Sequence, residues 1–243
     1  MIPKKASLLV PGVASVVLYL VVAYQINRTE TTSLLICFAA LFGMYGWIAT
    51  RSAEEEIPFW LGAAIVFRAC FLFAIPSLSD DFYRFLWDGH LLNAGYHPFA
   101  HVPSYYIDHS IAVDGITSDL FFQLNSPDYF TIYPPVNQFV FWLAARLGGT
   151  SEAWGTFVLH AVILLAEIGS IIFMRKIIRH HQLPASNVLL YALNPLVIIE
   201  LTGNLHFEAL MIFFLLGSYW FLVRSRWVAS ALFFSLAICT KLL

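Results

Sequence analysis

The sequence predicts an all-α, polytopic membrane protein of about seven transmembrane helices, with one large external loop after the third. First, 60% of its 243 residues are hydrophobic and 12% are charged, which is too apolar for a soluble domain of this size. Second, several uncharged runs approach the roughly 20 residues that a helix needs to cross a bilayer. Third, the chain between about 77 and 153 is polar and contains many turn-forming residues, as expected of a segment outside the hydrocarbon.

The apolar runs are 7–26, 33–50, 58–76, 154–173, 185–201, 208–223 and 227–240. Lys4 and Lys5 precede the first run, and no clear cleavage site follows it, so this run is expected to be a retained anchor helix. The first two runs form an N-terminal unit, 1–56, and the rest of the chain, 57–243, forms the core that contains the external loop.

An eighth apolar run, 134–147, is too short to be a clear span. As a helix it would be about 21 Å long, against about 30 Å of hydrocarbon. If it crossed, Arg175, Lys176 and Arg179 would lie on the side opposite the N-terminal lysines, against the tendency of cations to stay in the cytoplasm. We therefore expect it to be one of at least two membrane-hugging helices in the external loop.

The external loop opens with a charged stretch. Ser79 is suited to cap a helix whose first turn holds Asp80 and Asp81. Asp81, Arg84 and Asp88 follow at helical spacing and share one face. This pattern predicts an amphipathic helix at the membrane surface that turns an acidic face toward a polar ligand. The alternative is a solvated helix whose acids only improve its capping.

The predicted topology brings polar groups from separate segments to the outer side of the membrane. These groups are Asp80 and Asp81, the Tyr133-Pro134-Pro135 turn, the turn 203–208, and Thr240-Lys241. An outward-opening site embedded in a membrane would require this convergence.

Composition and residue spacing give no support to several other classes of function. The net charge of −2, without any basic block, gives no indication of nucleic-acid binding. Cys37, Cys70 and Cys239 lie in apolar runs without the spacing of a disulfide framework or a zinc site. Proline breaks any helical spacing among the histidines between 97 and 109, so no metal site is assigned.

Five motifs follow one another along the chain. They are Asp80-Asp81-Phe82-Tyr83-Arg84-Phe85-Leu86-Trp87-Asp88-Gly89 with Ala94-Gly95-Tyr96-His97-Pro98-Phe99, Ile132-Tyr133-Pro134-Pro135, Leu193-Asn194-Pro195-Leu196, Gly203-Asn204 with His206 and Glu208, and Thr240-Lys241. In this order they resemble the bacterial polyprenol-phosphate-sugar-dependent glycosyltransferases of the GT-C fold, which include polyprenol-phosphomannose-dependent mannosyltransferases. GPI mannosyltransferase I shows a looser version. The resemblance covers about residues 58–243 and leaves out the first two spans.

The chain departs from this family pattern at two places. His90 stands where the bacterial pattern usually has arginine, in the form Trp-Asp-Gly-Arg. The sequence also stops at Leu243, just after the lysine, where relatives continue through further spans. The chain is therefore expected to be a C-terminally truncated fragment.

The resemblance implies transfer of a hexose, expected to be mannose, from a polyprenyl-phosphate donor to a hydroxyl of a glycan or glycolipid. It implies an integral protein of the bacterial inner membrane whose site faces outward, with membrane lipid as a further partner and no cofactor beyond the lipid-linked donor. A divalent metal has no support in the sequence.

The chemistry of this transfer needs a base near the acceptor hydroxyl and cations near the phosphate, and a direct displacement inverts the anomeric centre. Asp80 and Asp81 are the predicted catalytic residues, and Asp80 is favoured as the base because it is nearer the end of the span. The predicted substrate-binding residues are Arg84, Asp88, Tyr133, Asn204, His206, Glu208 and Lys241. Arg84 and Lys241 are the expected phosphate partners.

Two other functions remain open from the sequence. Arg68 and Glu167 lie deep in apolar runs, where a charge costs at least about 2.5–3.5 kcal/mol. They are expected to pair as structural elements, but charges at that depth would also suit a transporter of small solutes or ions. A scaffold subunit is the remaining alternative. A cavity at the outer end would favour the transferase, and one lined by Arg68 and Glu167 would favour transport.

Overall fold

The structure, a computed structural model, describes residues 4–241, and these contain helices and turns but no strand. The side chains of Lys4 and Lys5, which set the predicted orientation, and the end of the chain at Leu243 lie outside the described part. The α-helices are α1 (Lys4–Tyr24), α2 (Thr31–Arg51), α3 (Ile57–Ala69), α4 (Asp81–Asn93), α5 (Pro103–Asp108), α6 (Ser118–Phe122), α7 (Pro135–Gly148), α8 (Glu152–His180), α9 (Leu189–Ala192), α10 (Pro195–Val197), α11 (Glu208–Val223) and α12 (Trp227–Ile238).

Two of the described helices, α2 and α8, are long and apolar enough to cross a membrane. A third candidate is the bent pair Ala185–Ala192 and Pro195–Gly203, whose two halves meet at 47°. Proline at 195 explains the break, because its ring cannot continue the preceding helix. Leu8–Tyr24, α11 and α12 are apolar but shorter. The protein is therefore all-α with two or three candidate spans, and the full set of seven stays a prediction.

The helices form a bundle with two distinguishable ends. At one end, which we call the Asp80 end, Ser77 donates a hydrogen bond to the carbonyl of Ile26, and the ring of Phe73 stacks on that of Phe157, with centroids 5.1 Å apart. The loop after α1, the end of α3 and the beginning of α8 thus lie together. At the opposite end, the Arg175 end, the beginning of α3 meets the last turns of α8.

The segment between α3 and α8 consequently leaves the bundle and returns to it at the same end. Within this segment, α7 packs against both α4 and α8. Its 14 residues correspond to about 21 Å of helix. This path is the one expected if α7 does not cross the membrane.

Helix α4 is not the surface helix that its charge pattern predicted. Every residue from Arg84 to Leu91 is buried, because α7, α8 and the chain between α4 and α7 enclose it. Helix α7 approaches so closely that a β-carbon at Gly89 would lie 2.2 Å from the carbonyl oxygen of Phe141. The expectation of an exposed acidic face along this helix is therefore wrong beyond its first turn. Asp80, rather than Ser79, occupies the N-cap position.

The first two helices pack directly on the predicted core. One apolar cluster joins Tyr19 of α1, Leu41 of α2 and Phe67 of α3 to Ile171 of α8. The boundary expected at residue 56 is therefore not a gap in the packing. Whether 1–56 is a separate unit stays a prediction.

Candidate active site

A cavity of about 440 Å³ opens at the Asp80 end of the bundle. Its polar wall is formed by Asp81 at the beginning of α4, Tyr133 and Asn137 around the beginning of α7, His206 before α11, Glu208 at the first position of α11, and Thr240 and Lys241 after α12. Segments far apart in sequence thus meet at one place. All of these residues except Asn137 were predicted to converge, and they lie together. Their catalytic and binding roles, and the side of the membrane on which they lie, stay predictions.

The two adjacent aspartates have different surroundings. Asp80 forms an ion pair with Arg28, in the loop after α1. Asp81 lines the cavity, and its Oδ1 accepts a hydrogen bond of 2.8 Å from Nδ2 of Asn125. Asp80 is therefore neutralised by a cation at the edge of the site, whereas Asp81 is the carboxylate that faces the cavity.

Lys241 and Glu208, which also line the cavity, form an ion pair. The backbone N–H of Val136 donates a hydrogen bond of 3.1 Å to the carbonyl of Cys239, which ties the end of α12 to the beginning of α7. The ammonium is thus held at the cavity, about half exposed (54%). Its position suits an anion, provided that Glu208 yields part of the interaction.

The turn between the bent pair and α11 is held in an unusual conformation. The residues Ile198–Gly203 form a π-helix, a form that is frequent at functional sites. Leu205 follows with φ of 58°, a left-handed conformation that is strained for a branched side chain. Asn204 donates to Glu200 at 3.1 Å, and Nδ1 of His206 lies 3.6 Å from the same carboxylate. Glu200 therefore fixes the turn that presents His206.

Arg84 and Asp88 lie behind the cavity wall. Nε of Arg84 is 2.9 Å from Oδ1 of Asp88, and Arg84 also donates to the carbonyls of Ser126 and Tyr129. Burial raises the pKa of the Asp88 carboxyl, and the Arg84 charge opposes that shift. The geometry gives this pair a supporting role: it joins α4 to the loop that folds over it. Their contact with substrate stays a prediction.

A further network holds the other oxygen of Asp88. Oδ2 accepts hydrogen bonds of 2.5 Å from Thr131 and 2.8 Å from Gln138. Both donors flank the Tyr133 turn, so Asp88 positions the cavity wall from behind. Burial, followed by the charges of Asp81 and Asp88, raises the pKa of the Tyr133 phenol, so this group is neutral at physiological pH.

Asn137 is a polar wall residue without an evident partner. Its side chain is 3% exposed, and its Oδ1 has no hydrogen bond among the described residues. A buried amide oxygen without a partner costs about 1–3 kcal/mol. Asn137 lines the cavity, but its Oδ1 has less than 1 Å² of exposed surface, so a bound hydroxyl would reach this oxygen only after the amide turns toward the cavity.

Sequence reasoning missed four polar residues near the cavity: Arg28, Asn125, Asn137 and Glu200. Arg28 and Asp80 are 52 positions apart, and no periodic pattern links them. Asn137 was read only as part of an apolar run. A signal was available for Asn137, since an asparagine two residues after Pro135 falls in the first turn of α7, beside the Tyr133 motif.

Arg68 and Glu167 pair as expected, away from this cavity. Nε and Nη2 of Arg68 lie 2.9 and 2.8 Å from Oε2 of Glu167, and both side chains are fully buried. Tyr191 donates to Oε1 of Glu167 at 2.5 Å, and Nη1 of Arg68 donates to the carbonyl of Ala192 at 2.7 Å. The guanidinium of Arg68 and the carboxylate of Glu167 are thus hydrogen-bonded to each other and to neighbouring protein groups, which argues against a transport pathway at this place.

Histidine and carboxylate side chains are not grouped for metal binding in the described residues. His101 and His109 instead pack on the two sides of Tyr105, with ring centroids 3.8 and 4.0 Å away. The rings of these two histidines are therefore engaged in aromatic packing with Tyr105.

Comparison with known proteins extends the motif resemblance to nearly the whole chain. Residues 6–243 match the model of the MptA_B family, described as alpha-(1->6)-mannopyranosyltransferase, N-terminal domain. The match includes the first two helices, which the motif comparison had left out. No curated protein and no solved structure matches the chain. Because the family model covers more than half of the residues, the chain belongs to the MptA_B family of mannosyltransferases.

Proposed function

We propose that the protein transfers mannose from a polyprenyl-phosphate donor to a hydroxyl of a glycan or glycolipid, with Asp81 as the general base and a GT-C arrangement of helices. The observation that carries this proposal is the shared cavity of Asp81 and Lys241. It combines a carboxylate able to accept a proton with an ammonium able to bind a phosphate. The family supports mannose as the sugar.

The surroundings of the cavity suit a lipid-borne donor. Phe85, Ile132 and Phe207 form part of its wall. Beside it, Tyr129, Phe130 and Ile132 are 72%, 58% and 81% exposed. Large apolar side chains gathered at the end of a helix bundle are typical of a surface that contacts the bilayer interface. A polyprenyl chain could remain in the membrane while its phosphate reaches Lys241.

The division of charges gives each group a role in the reaction. Asp81 removes the proton of the acceptor hydroxyl, and the hydroxyl oxygen attacks the anomeric carbon of the donor. The bond between that carbon and the phosphate oxygen breaks at the same time, and the polyprenyl phosphate leaves. Lys241 stabilises the negative charge that the phosphate gains. Asn137 accepts a hydrogen bond from a sugar hydroxyl. A single displacement inverts the anomeric centre, so an α-linked product requires a β-linked donor.

The proposed topology places this cavity on the outer face of the bacterial inner membrane. All seven apolar runs then cross, and 77–153 remains outside with α7 at the interface. The cations at the Arg175 end fall in the cytoplasm, as the positive-inside rule requires. The path of the chain, which leaves and returns at the Asp80 end, is compatible with this arrangement.

The donor is tested with membranes that contain the full-length gene product. They are incubated with mannose carried either by polyprenyl phosphate or by a nucleoside diphosphate. We expect product only from the lipid-linked sugar, with an α linkage by nuclear magnetic resonance. Product formed directly from the nucleotide sugar, in membranes depleted of polyprenyl phosphate, would exclude the proposed donor.

A further inference from the structure

A basic cavity of about 480 Å³ lies at the Arg175 end, remote from the proposed catalytic cavity. The last turns of α8 contribute Arg175, Lys176 and Arg179 to it, and the beginning of α3 contributes Ile57 and Pro58. All three cations are exposed, and within the described residues no carboxylate lies within 4 Å of any of them. One acid, Glu54, is also on the wall.

An apolar groove of about 530 Å³ lies next to this cavity and shares Pro58 with it. It runs between α1 and α3. Its walls are almost entirely apolar and include Gly12, Gly62 and Phe67. A β-carbon at Gly62 would have no atom within 4 Å, so the glycine leaves space in the groove rather than allowing helices to touch.

The length of the groove matches one leaflet of a bilayer. From Pro58 to Phe67, α3 advances nine residues, or about 14 Å. This is about half of the roughly 30 Å of hydrocarbon. A basic cavity at a helix end, beside an apolar groove about one leaflet long, has the charge and shape of a site for an anionic phospholipid.

We propose that this composite site binds an anionic phospholipid of the cytoplasmic leaflet. Arg175 and Arg179 contact the headgroup phosphate, with Lys176 as the neighbouring cation, and an acyl chain lies along α3 in the groove beside Gly62. The bound lipid fills the groove between α1 and α3 and thereby stabilises the packing of the first helix on the core. This site is independent of the proposed catalytic cavity and of its donor, and only its assignment to the cytoplasmic leaflet rests on the proposed topology.

The test uses the purified protein in a neutral detergent, titrated with phosphatidylglycerol, phosphatidylcholine or inorganic phosphate while bound molecules are counted by native mass spectrometry. Phosphatidylglycerol is expected to bind most tightly. Each cation near a phosphate contributes about 1 kcal/mol, or about fivefold in affinity. Arg175→Gln with Arg179→Gln should therefore weaken phosphatidylglycerol binding about 25-fold. If this double variant does not fold, each single variant should show about fivefold.

Three further variants distinguish the contribution of the lipid headgroup to binding from that of the acyl chain. Gly62→Leu fills the groove and should weaken phosphatidylglycerol without affecting any binding of phosphate. Glu54→Gln removes the one acid on the wall and should strengthen phosphatidylglycerol binding. Arg226→Gln is the matched control, because it removes an exposed cation outside the cavity, and it should change nothing.

Equal affinity for phosphatidylglycerol and phosphatidylcholine would overturn the proposal. Both lipids carry the phosphate, and only the first has a net negative charge, so the site would then not select an anionic lipid. Binding of inorganic phosphate as tight as that of phosphatidylglycerol, unchanged by Gly62→Leu, would also overturn it in favour of a site for a free anion. Neither result bears on mannosyl transfer, which is measured separately.

Discussion

Nη2 of Arg68 and Oε2 of Glu167 lie 2.8 Å apart in the centre of the bundle, and neither side chain has any exposed surface. The contact joins α3 to α8, across 99 positions of sequence. Removing one partner of a buried pair leaves the other charge without compensation, which costs about 3–5 kcal/mol. Removing both leaves an apolar contact instead.

The first prediction is that Arg68→Met or Glu167→Leu alone destabilises the protein by about 3–5 kcal/mol, whereas the double variant loses less than the sum of the two. Thermal or denaturant unfolding in detergent supplies the four free energies of the cycle. Losses that add would show that the two side chains act independently.

The second prediction concerns the path of α7. In a variant without its three native cysteines, Thr150→Cys and His180→Cys are each exposed to a membrane-impermeant thiol reagent applied to intact cells. Both positions are exposed in the structure, and they lie at opposite ends of α8. Because α7 is expected not to cross, position 150 should react and position 180 should react only after lysis. Labelling of both from the same side would contradict the topology.

The pairing of Arg68 with Glu167 and the meeting of Asp81, Tyr133, Glu208 and Lys241 could be predicted from the sequence. Charges in apolar runs need partners of opposite charge. The number of apolar runs long enough to cross also predicts at which end of the bundle each polar turn lies. These inferences depend on regular helices. They therefore succeed where the chain alternates between apolar runs and short polar turns.

The surroundings of α4 could not be predicted in this way. Its charges suggested an exposed face, but the irregular chain between α4 and α7 folds over it and provides carbonyls for Arg84 and a hydroxyl from Thr131. Such loop contacts have no sequence period. The contact of Arg28 with Asp80 could not be predicted either, because Arg28 also lies in a loop. This contact holds Asp80 at the edge of the site, and Asp81 is the aspartate that faces the cavity.

The third prediction tests Asn137. Its buried Oδ1 lacks a partner among the described residues, so Asn137→Leu should maintain or raise the melting temperature of the unliganded protein. If this oxygen binds a sugar hydroxyl, transfer should fall about 5–150-fold, since a lost hydrogen bond to substrate costs about 1–3 kcal/mol. A neighbouring wall substitution, Ile132→Leu, serves as the control. Unchanged transfer in the Asn137 variant would remove this residue from the site.

The fourth prediction is a pH dependence from His90. Burial lowers the pKa of its imidazole, and the charge of Asp114 only partly opposes the shift. The ring also sits against Gly115, where a β-carbon would lie 2.2 Å from it. Well above pH of about 6.5, the ordinary pKa of histidine, the ring is neutral in both the folded and the unfolded state. Below this value the unfolded chain takes up a proton before the folded one does, so stability falls as the pH is lowered.

The free energy of unfolding should therefore decrease between about pH 7 and pH 5 in the native protein, and decrease less in His90→Gln. The difference between the two proteins, measured in the same detergent, isolates this histidine from other groups. An identical pH dependence in both would show that His90 titrates normally in the folded state.

The last prediction distinguishes the two aspartates. Asp81 faces the cavity and is held by Asn125, whereas Asp80 is paired with Arg28. Asp→Asn keeps the size of the side chain and removes the proton acceptor. Loss of a general base costs about 10²–10⁴-fold, so Asp81→Asn should lower transfer by this factor. Asp80→Asn should have a milder effect, because it disturbs only the pair at the edge of the site.

The expected order reverses the one that the sequence favoured, because closeness to the end of α3 matters less than which carboxylate reaches the cavity. Helix stability provides the control: asparagine caps about as well as aspartate, and a dipole contribution of about 0.3–1 kcal/mol is lost. Asp80→Asn also loses the ion pair with Arg28, which is exposed and therefore contributes little. Both variants should therefore fold like the native protein. A large loss at Asp80 with a small one at Asp81 would assign the base to Asp80 and require the Arg28 pair to open, while unimpaired transfer with both changed would exclude an aspartate base.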